Sequence, residues 1–208
     1  MKRKLKLAIL FALVAALLVG CSAQNGSENE QGYNTSVFGD TVEPLNAPVF
    51  TDREAVYGMY NAVNIGDTMD SIVEKYGEPS LVEEDDYGSI YTWVNESGYG
   101  MVGLFYDNGR LRSKSLYFED MRQLKELSAA TSIENFALLE TSHDFSMVCL
   151  ALGGKPCEIA AIAQDSSLEP EIYRVFAWLD EYGSNVQVMF NSKEKIIQVS
   201  YSLADRTK

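Results

Sequence analysis

The sequence has little of what metal proteins and many enzymes require. Its 208 residues include one histidine, His143, and three cysteines, and the spacing of Cys21, Cys149 and Cys157 around that histidine matches no zinc-binding set. It contains no G-x-S-x-G turn and no phosphate-binding G-x-x-x-x-G-K-[ST] loop. These absences argue against an enzyme, a small-molecule substrate, a metal and a cofactor. We interpret His143 as a solvated loop residue.

Positive charge is also scarce. Lysine and arginine together number 17, aspartate and glutamate number 30, and the formal net charge is −13 at pH 7. A surface of this sign repels the phosphates of nucleic acids, so we predict no nucleic-acid partner. The same repulsion opposes docking on anionic lipid headgroups, so any membrane attachment must come from another source.

The first residues predict export and a lipid anchor. Four basic residues lie among the first six, and 7–19 is an apolar run too short to be a permanent membrane span. The following Leu18-Val19-Gly20-Cys21 resembles the lipobox of bacterial lipoproteins, which implies cleavage of a signal peptide (1–20) and acylation of Cys21. Residues 21–51 are polar and predict a flexible tether on the extracytoplasmic face of a cell membrane. The alternative is an ordinary secretory signal with a chance cysteine.

Two further cysteines, Cys149 and Cys157, flank a glycine-proline break. In an exported protein this pair can form a disulfide. Two buried thiols are an equal alternative, because a helix position and the strand that follows it often point apart. The sequence leaves both possibilities open.

One pattern occurs twice in the chain. Trp93 precedes Phe105 by twelve residues and Leu111 by a further six, and Trp178 precedes Phe190 and Ile196 by the same intervals. The spacing predicts two tandem repeats, 52–118 and 132–208, joined by a connecting helix at 119–131. Each unit is small for an independent core, so the two either pack together or join edge to edge.

The predicted elements are the same in both units: two short helices and a four-stranded antiparallel sheet, which is an α+β fold. Thr68 and Asp144 are placed to cap helices. Helices are predicted at 53–63, 69–76, 133–140 and 145–152. Hairpin signals separate strands at 80–84, 89–95, 99–106, 110–118, 158–164, 172–180, 185–191 and 195–203.

These motifs resemble the β-lactamase-inhibitor-protein-like family. The family contains the secreted β-lactamase inhibitor, Gram-positive lipoproteins of unknown function and small lipoproteins that assist outer-membrane barrel assembly. The resemblance implies a tandem fold of this kind over 52–203. The residues that carry it are caps, turns and sheet aromatics: Gly66, Thr68, Ile72, Gly77, Pro79, Tyr91, Trp93, Phe105 and Gly109, then Asp144, Val148, Gly153, Pro156, Phe176, Trp178 and Phe190.

We expect a non-enzymatic protein-binding module that engages an envelope protein with a sheet face. The opposite faces of the aromatic strands also carry apolar residues, which suggests that an uncovered face meets a partner or the other repeat. The alternatives are an envelope assembly factor and an inhibitor of a serine β-lactamase or penicillin-binding protein, for which the acidic loop at 164–171 would be the inhibitory element. The candidate partner-binding residues are Tyr91, Trp93, Phe176, Trp178, Asp165 and Glu169.

Overall fold

The computed structural model describes residues 53–85, 88–118, 130–165 and 169–203. No helix among them is long and apolar enough to cross a membrane. Cys21, the predicted signal peptide and tether, and nearly all of the predicted connecting helix lie outside the described residues. The helices are α1 (Arg53–Ala62), α2 (Met69–Tyr76), a 3₁₀ helix (Ile133–Leu138) and α3 (Phe145–Leu152).

The ends of α2 and α3 follow from the same local chemistry. The Thr68 hydroxyl accepts a hydrogen bond from the Ser71 amide at 3.3 Å, and the Asp144 carboxylate accepts one from the Met147 amide at 3.1 Å. Both caps satisfy an amide that has no partner within the helix. Each helix ends at a glycine with a positive φ, 78° at Gly77 and 69° at Gly153, which residues with a side chain rarely adopt.

The predicted pair of four-stranded sheets is wrong. The structure has one antiparallel sheet of eight strands in the order of the sequence, with few and short helices beside it. The helix predicted at 133–140 is also a shorter 3₁₀ helix. The strands are β1 (Leu81–Asp85), β2 (Gly88–Val94), β3 (Gly100–Phe105), β4 (Leu111–Tyr117), β5 (Cys157–Ala163), β6 (Ile172–Leu179), β7 (Asn185–Phe190) and β8 (Ile196–Ser202).

The sheet is continuous because β4 and β5 pair. The ladder between them has three residue pairs, from Ser113 opposite Ile162 to Ser115 opposite Ala160. Two separate sheets would leave four strand edges with unpaired amides and carbonyls, and this ladder pairs two of those edges. Joining edge to edge is therefore how the two halves meet, although the division into repeats at 52–118 and 132–208 stays a prediction.

The four helices pack on one face of the sheet. The register places Trp93 opposite Met101 and Met101 opposite Leu116, and side chains two residues apart in a strand share a face. Lys114 lies on that face as well. Lys114 is opposite Ala161, and Ala161 is opposite Arg174, so the same face continues along β6. We call this the helix face. One core cluster lies beneath α2 and another beneath α3 and the 3₁₀ helix, and a third joins Val56, Tyr57 and Tyr60 of α1 to the central strands.

Candidate functional site

The four aromatic candidates of the sheet are core residues in this structure. Tyr91 and Trp93 pack in the cluster beneath α2, and Phe176 and Trp178 pack in the cluster beneath α3. Trp93 is 3% exposed and Trp178 is 0% exposed. Phe145, the first residue of α3, lies against Trp178 with ring centroids 6.3 Å apart. The two tryptophans hold the helices on the sheet and are not available to a partner in this conformation, whereas Tyr91 and Phe176 are half-buried.

The two tryptophans differ in one polar contact. The indole Nε1 of Trp93 donates a hydrogen bond to the carbonyl oxygen of Gly77 at 2.9 Å, which ties the strand to the end of α2. The indole Nε1 of Trp178 is buried and has no hydrogen-bond partner. A buried donor without an acceptor costs stability, so Trp178 contributes through its apolar area alone.

The opposite face of the sheet is also buried in its central strands. Ile90 and Val102 in the first half are buried, as are Val175 and Ala177 in the second. Val94, at the end of β2, is exposed. Among the described strands, then, the central part of neither face presents an exposed apolar surface, and a binding surface has to be sought elsewhere.

The acidic loop between β5 and β6 borders an open groove. Asp165 and Glu169 are exposed, and the hydroxyl of Tyr106 donates a hydrogen bond to the carbonyl oxygen of Asp165. The groove has a volume of about 750 Å³ and is lined by Glu169, Pro170, Glu171, Ile172, Arg174, Asn191, Ser192 and Lys193. The lining mixes carboxylates with cations, so it has no uniform charge with which to select a charged ligand.

Polar side chains meet where the two halves of the sheet join. The Tyr60 hydroxyl donates to Glu158 Oε1 at 2.8 Å, and Arg174 forms an ion pair with the same carboxylate at 3.0 Å. The Tyr57 hydroxyl lies 2.8 Å from Cys157 Sγ and donates to the Glu158 carbonyl oxygen at 2.8 Å. Burial, with the Glu158 carboxylate adding to it, raises the pKa of Tyr60 well above its ordinary value. Tyr60 is therefore a neutral hydrogen-bond donor and not a base.

Lys114 completes this junction. Its ammonium donates to the carbonyl oxygens of Tyr60 and Val63 at 2.6 Å each, at the C-terminal end of α1. It also lies 4.2 Å from the centroid of the Tyr60 ring. Burial lowers the pKa of Lys114. Its ammonium group is already hydrogen-bonded to the two carbonyl oxygens. The junction is thus a polar connection between α1, β4 and β5 rather than a site with a free nucleophile or base.

Cys149 and Cys157 are both thiols and are not joined to each other. Cys157 is buried beside Tyr57, whereas Cys149 packs in the cluster beneath α3, so the disulfide that the sequence left open is not formed in this structure. Burial raises the pKa of the Cys149 thiol, which disfavours the reactive thiolate. Within the described residues, no group of three histidine, cysteine, aspartate or glutamate side chains could hold a metal ion.

No protein-family model and no curated protein matches the chain. Among solved structures, the chain is similar to a protein from Streptococcus mutans described as a candidate β-lactamase inhibitor. The two share 13% sequence identity, and the match covers 74% of this chain and 98% of the other, with a TM-score of 0.48. The function proposed for this chain therefore rests on its own residues.

An exposed apolar surface lies on α3 and the 3₁₀ helix. Leu150 is 86% exposed, and Met147 and Leu138 are exposed as well. We call these three residues the α3 surface. This surface was not predicted from the sequence, although one signal was present: α3 reads FSMVCLAL and contains no charged residue. A helix that is apolar on all sides has an apolar side left over once its inner side is packed.

Proposed function

We propose that the protein is an exported lipoprotein, acylated at Cys21 and tethered by residues 21–51, whose folded part binds another protein without catalysing a reaction. The anchor is proposed from the lipobox-like sequence, which lies outside the described residues. The binding role is supported by the α3 surface, which replaces the sheet face expected from the sequence. The proposed partner is an envelope protein with an apolar recess that receives Leu150.

The observation that carries this proposal is the contrast between α2 and α3. Counted from their caps, Thr68 and Asp144, the buried Ile72 corresponds to Val148. At the exposed positions, however, Glu74 corresponds to Leu150. Two helices that are capped in the same way and bury a β-branched residue at the same position therefore differ on their outer side.

The energetic consequence of that contrast favours association. Burying an exposed leucine side chain contributes about 1.5–3 kcal/mol, and Leu150 is almost entirely available for such burial. No charge on α3 has to be taken out of water, whereas burying α2 in the same way would desolvate Asp70, Glu74 and Lys75. The outer side of α3 is thus favourable for an apolar contact, whereas the outer side of α2 is favourable for exposure to solvent.

We expect Leu150→Glu to weaken capture of the partner at least tenfold. The change removes the apolar burial, about 1.5–3 kcal/mol, and adds a carboxylate that must be desolvated, and 1.4 kcal/mol is a tenfold change in affinity. Capture is measured by affinity purification of the full-length chain from its native membranes, with quantification of the proteins that co-purify. The matched control is Val82→Glu on β1, since Val82 is 48% exposed.

The control is expected to leave capture unchanged, because β1 lies at the far edge of the sheet from α3. Equal recovery of every co-purified protein with Leu150→Glu and with the wild type would reject the α3 surface as the binding site. Equal loss with both variants would show a general effect of added charge and would also count against the proposal. Thermal unfolding of both variants checks that the fold is retained.

A further inference from the structure

The two edges of the sheet differ in charge. β1, at one edge, carries Glu83 and Glu84, and acidic side chains on an edge strand discourage pairing with another chain. β8, at the other edge, reads IIQVSYS and contains neither a charged residue nor a proline. Ile197, Tyr201 and the following Leu203 are exposed. β8 pairs only with β7, and no other strand of the described residues lies along its outer edge.

The side chains of β8 divide cleanly between the two faces of the sheet. Val199 packs against the cluster beneath α3, and the Tyr201 ring stacks on Phe136 of the 3₁₀ helix with centroids 3.9 Å apart. Val199 and Tyr201 therefore point to the helix face. Gln198, Ser200 and Ser202 alternate with them and point to the opposite face. The register shift beside Phe190 lies between Ile196 and Gln198, so Ile197 is the extra residue at the shift and the strand is regular from Gln198 to Ser202.

We propose that β8 pairs antiparallel with β8 of a second copy of this chain, in a register centred on Ser200. In this register Val199 faces Tyr201 of the other copy, and Ile197 faces its Leu203. Gln198 faces Ser202, and Ser200 faces its own counterpart. Val199 and Tyr201 thus meet on the helix face, and the polar side chains meet one another on the other face. Cross-strand pairs of a β-branched and an aromatic residue are among the favourable ones.

The charges and the symmetry favour a second copy over other pairings of β8. A chain with a net charge of −13 repels its own copies, so self-association requires an uncharged contact, and β8 provides one. Pairing of β8 with β1 of another copy would place the strand beside Glu83 and Glu84 and would propagate as an open polymer. Pairing of β8 with itself is two-fold symmetric and closes as a dimer. The α3 surface takes no part in this argument, so the pairing is independent of the proposed function.

A disulfide introduced at the centre of the register tests the pairing. In the full-length chain in detergent, Ser200→Cys places two thiols directly opposite each other, where a mild oxidant joins them. Gln198→Cys is the matched control, because its thiol would face Ser202 of the other copy. We expect a disulfide-linked dimer from Ser200→Cys on non-reducing electrophoresis, at a level at least about tenfold above Gln198→Cys and the wild type, since only directly opposite side chains lie within about 5.5 Å.

A charge exchange provides the second test. Added to Ser200→Cys, Ile197→Glu is expected to lower the dimer yield roughly tenfold, because two symmetric cross-strand pairs are lost at once. Adding Leu203→Lys as well is expected to restore the yield through two glutamate–lysine pairs. If Ile197→Glu acted only by destabilising the fold, adding Leu203→Lys would not restore the dimer yield. A monomer with Ser200→Cys, equal yields from both cysteine variants, or no rescue by Leu203→Lys would overturn the proposal.

Discussion

Replacement of Trp178 by alanine is expected to lower the free energy of unfolding by about 3–5 kcal/mol. Trp178 is fully buried and contacts the cluster that holds α3 on the sheet. Its removal loses the transfer energy of the indole and leaves a cavity that the surrounding strands cannot fill. Trp93→Ala is expected to cost a similar amount, because Trp93 has the corresponding place beneath α2. Chemical denaturation with fluorescence or circular dichroism measures both.

Replacement by phenylalanine is expected to separate the two tryptophans. Trp93→Phe removes the hydrogen bond to Gly77 and leaves its carbonyl oxygen without this donor, whereas Trp178→Phe removes a donor that has no partner. We expect Trp93→Phe to cost about 1 kcal/mol more than Trp178→Phe. Leu150→Ala, on the exposed side of α3, is the control and should stay within about 0.5 kcal/mol of the wild type. A small loss with Trp178→Ala would contradict the core assignment.

Cys21→Ala is expected to abolish fatty-acid labelling of the chain and to weaken its association with the membrane fraction. The acyl group of the proposed anchor is attached through the cysteine sulfur, so alanine leaves no atom to carry it. An uncleaved segment 1–20 would still retain part of the protein at the membrane, which makes the label the decisive readout. Metabolic labelling with a fatty acid, followed by purification of the chain, measures it.

The control for lipidation is Cys149→Ala, since Cys149 packs in the core and is not expected to carry a lipid. This variant should keep the label and the membrane association of the wild type. Labelling that persists in Cys21→Ala would place the lipid on another residue and would remove the basis for the proposed tether. Loss of the label in both variants would point to a failure of export instead.

The positions of helices and strands could be predicted because short-range chemistry determines them. Helix α2 was predicted at 69–76 and is observed at Met69–Tyr76, since Thr68 caps its first turn and Gly77 ends it. Turn residues separate the strands in the same local way: the Asn108 side chain accepts from the Arg110 amide at 3.1 Å, and Gly109 has a φ of 74°. Each of these signals acts within a few residues along the chain.

The joining of the sheet and the place of the aromatic residues depend on contacts between distant parts of the chain. Alternation shows that Tyr91 and Trp93 share a face of β2, but it does not show which face the helices cover. The β4–β5 ladder joins Ser113–Ser115 to residues more than forty positions later, with no turn between them to mark the pairing. The exposure of Leu150 likewise depends on which side of α3 meets the sheet.

The same ladder sets the order in which the chain folds. Every other pair of neighbouring strands is joined by a turn or a short loop, whereas the 3₁₀ helix and α3 intervene between β4 and β5. Closing a longer loop costs more conformational entropy. A ladder of only three residue pairs offsets little of that cost until the strands on either side of it have formed. We therefore expect the two meanders to form first and the β4–β5 contact to form after the rate-limiting step. Substitutions at Ala161 should accordingly raise the unfolding rate and leave the folding rate nearly unchanged.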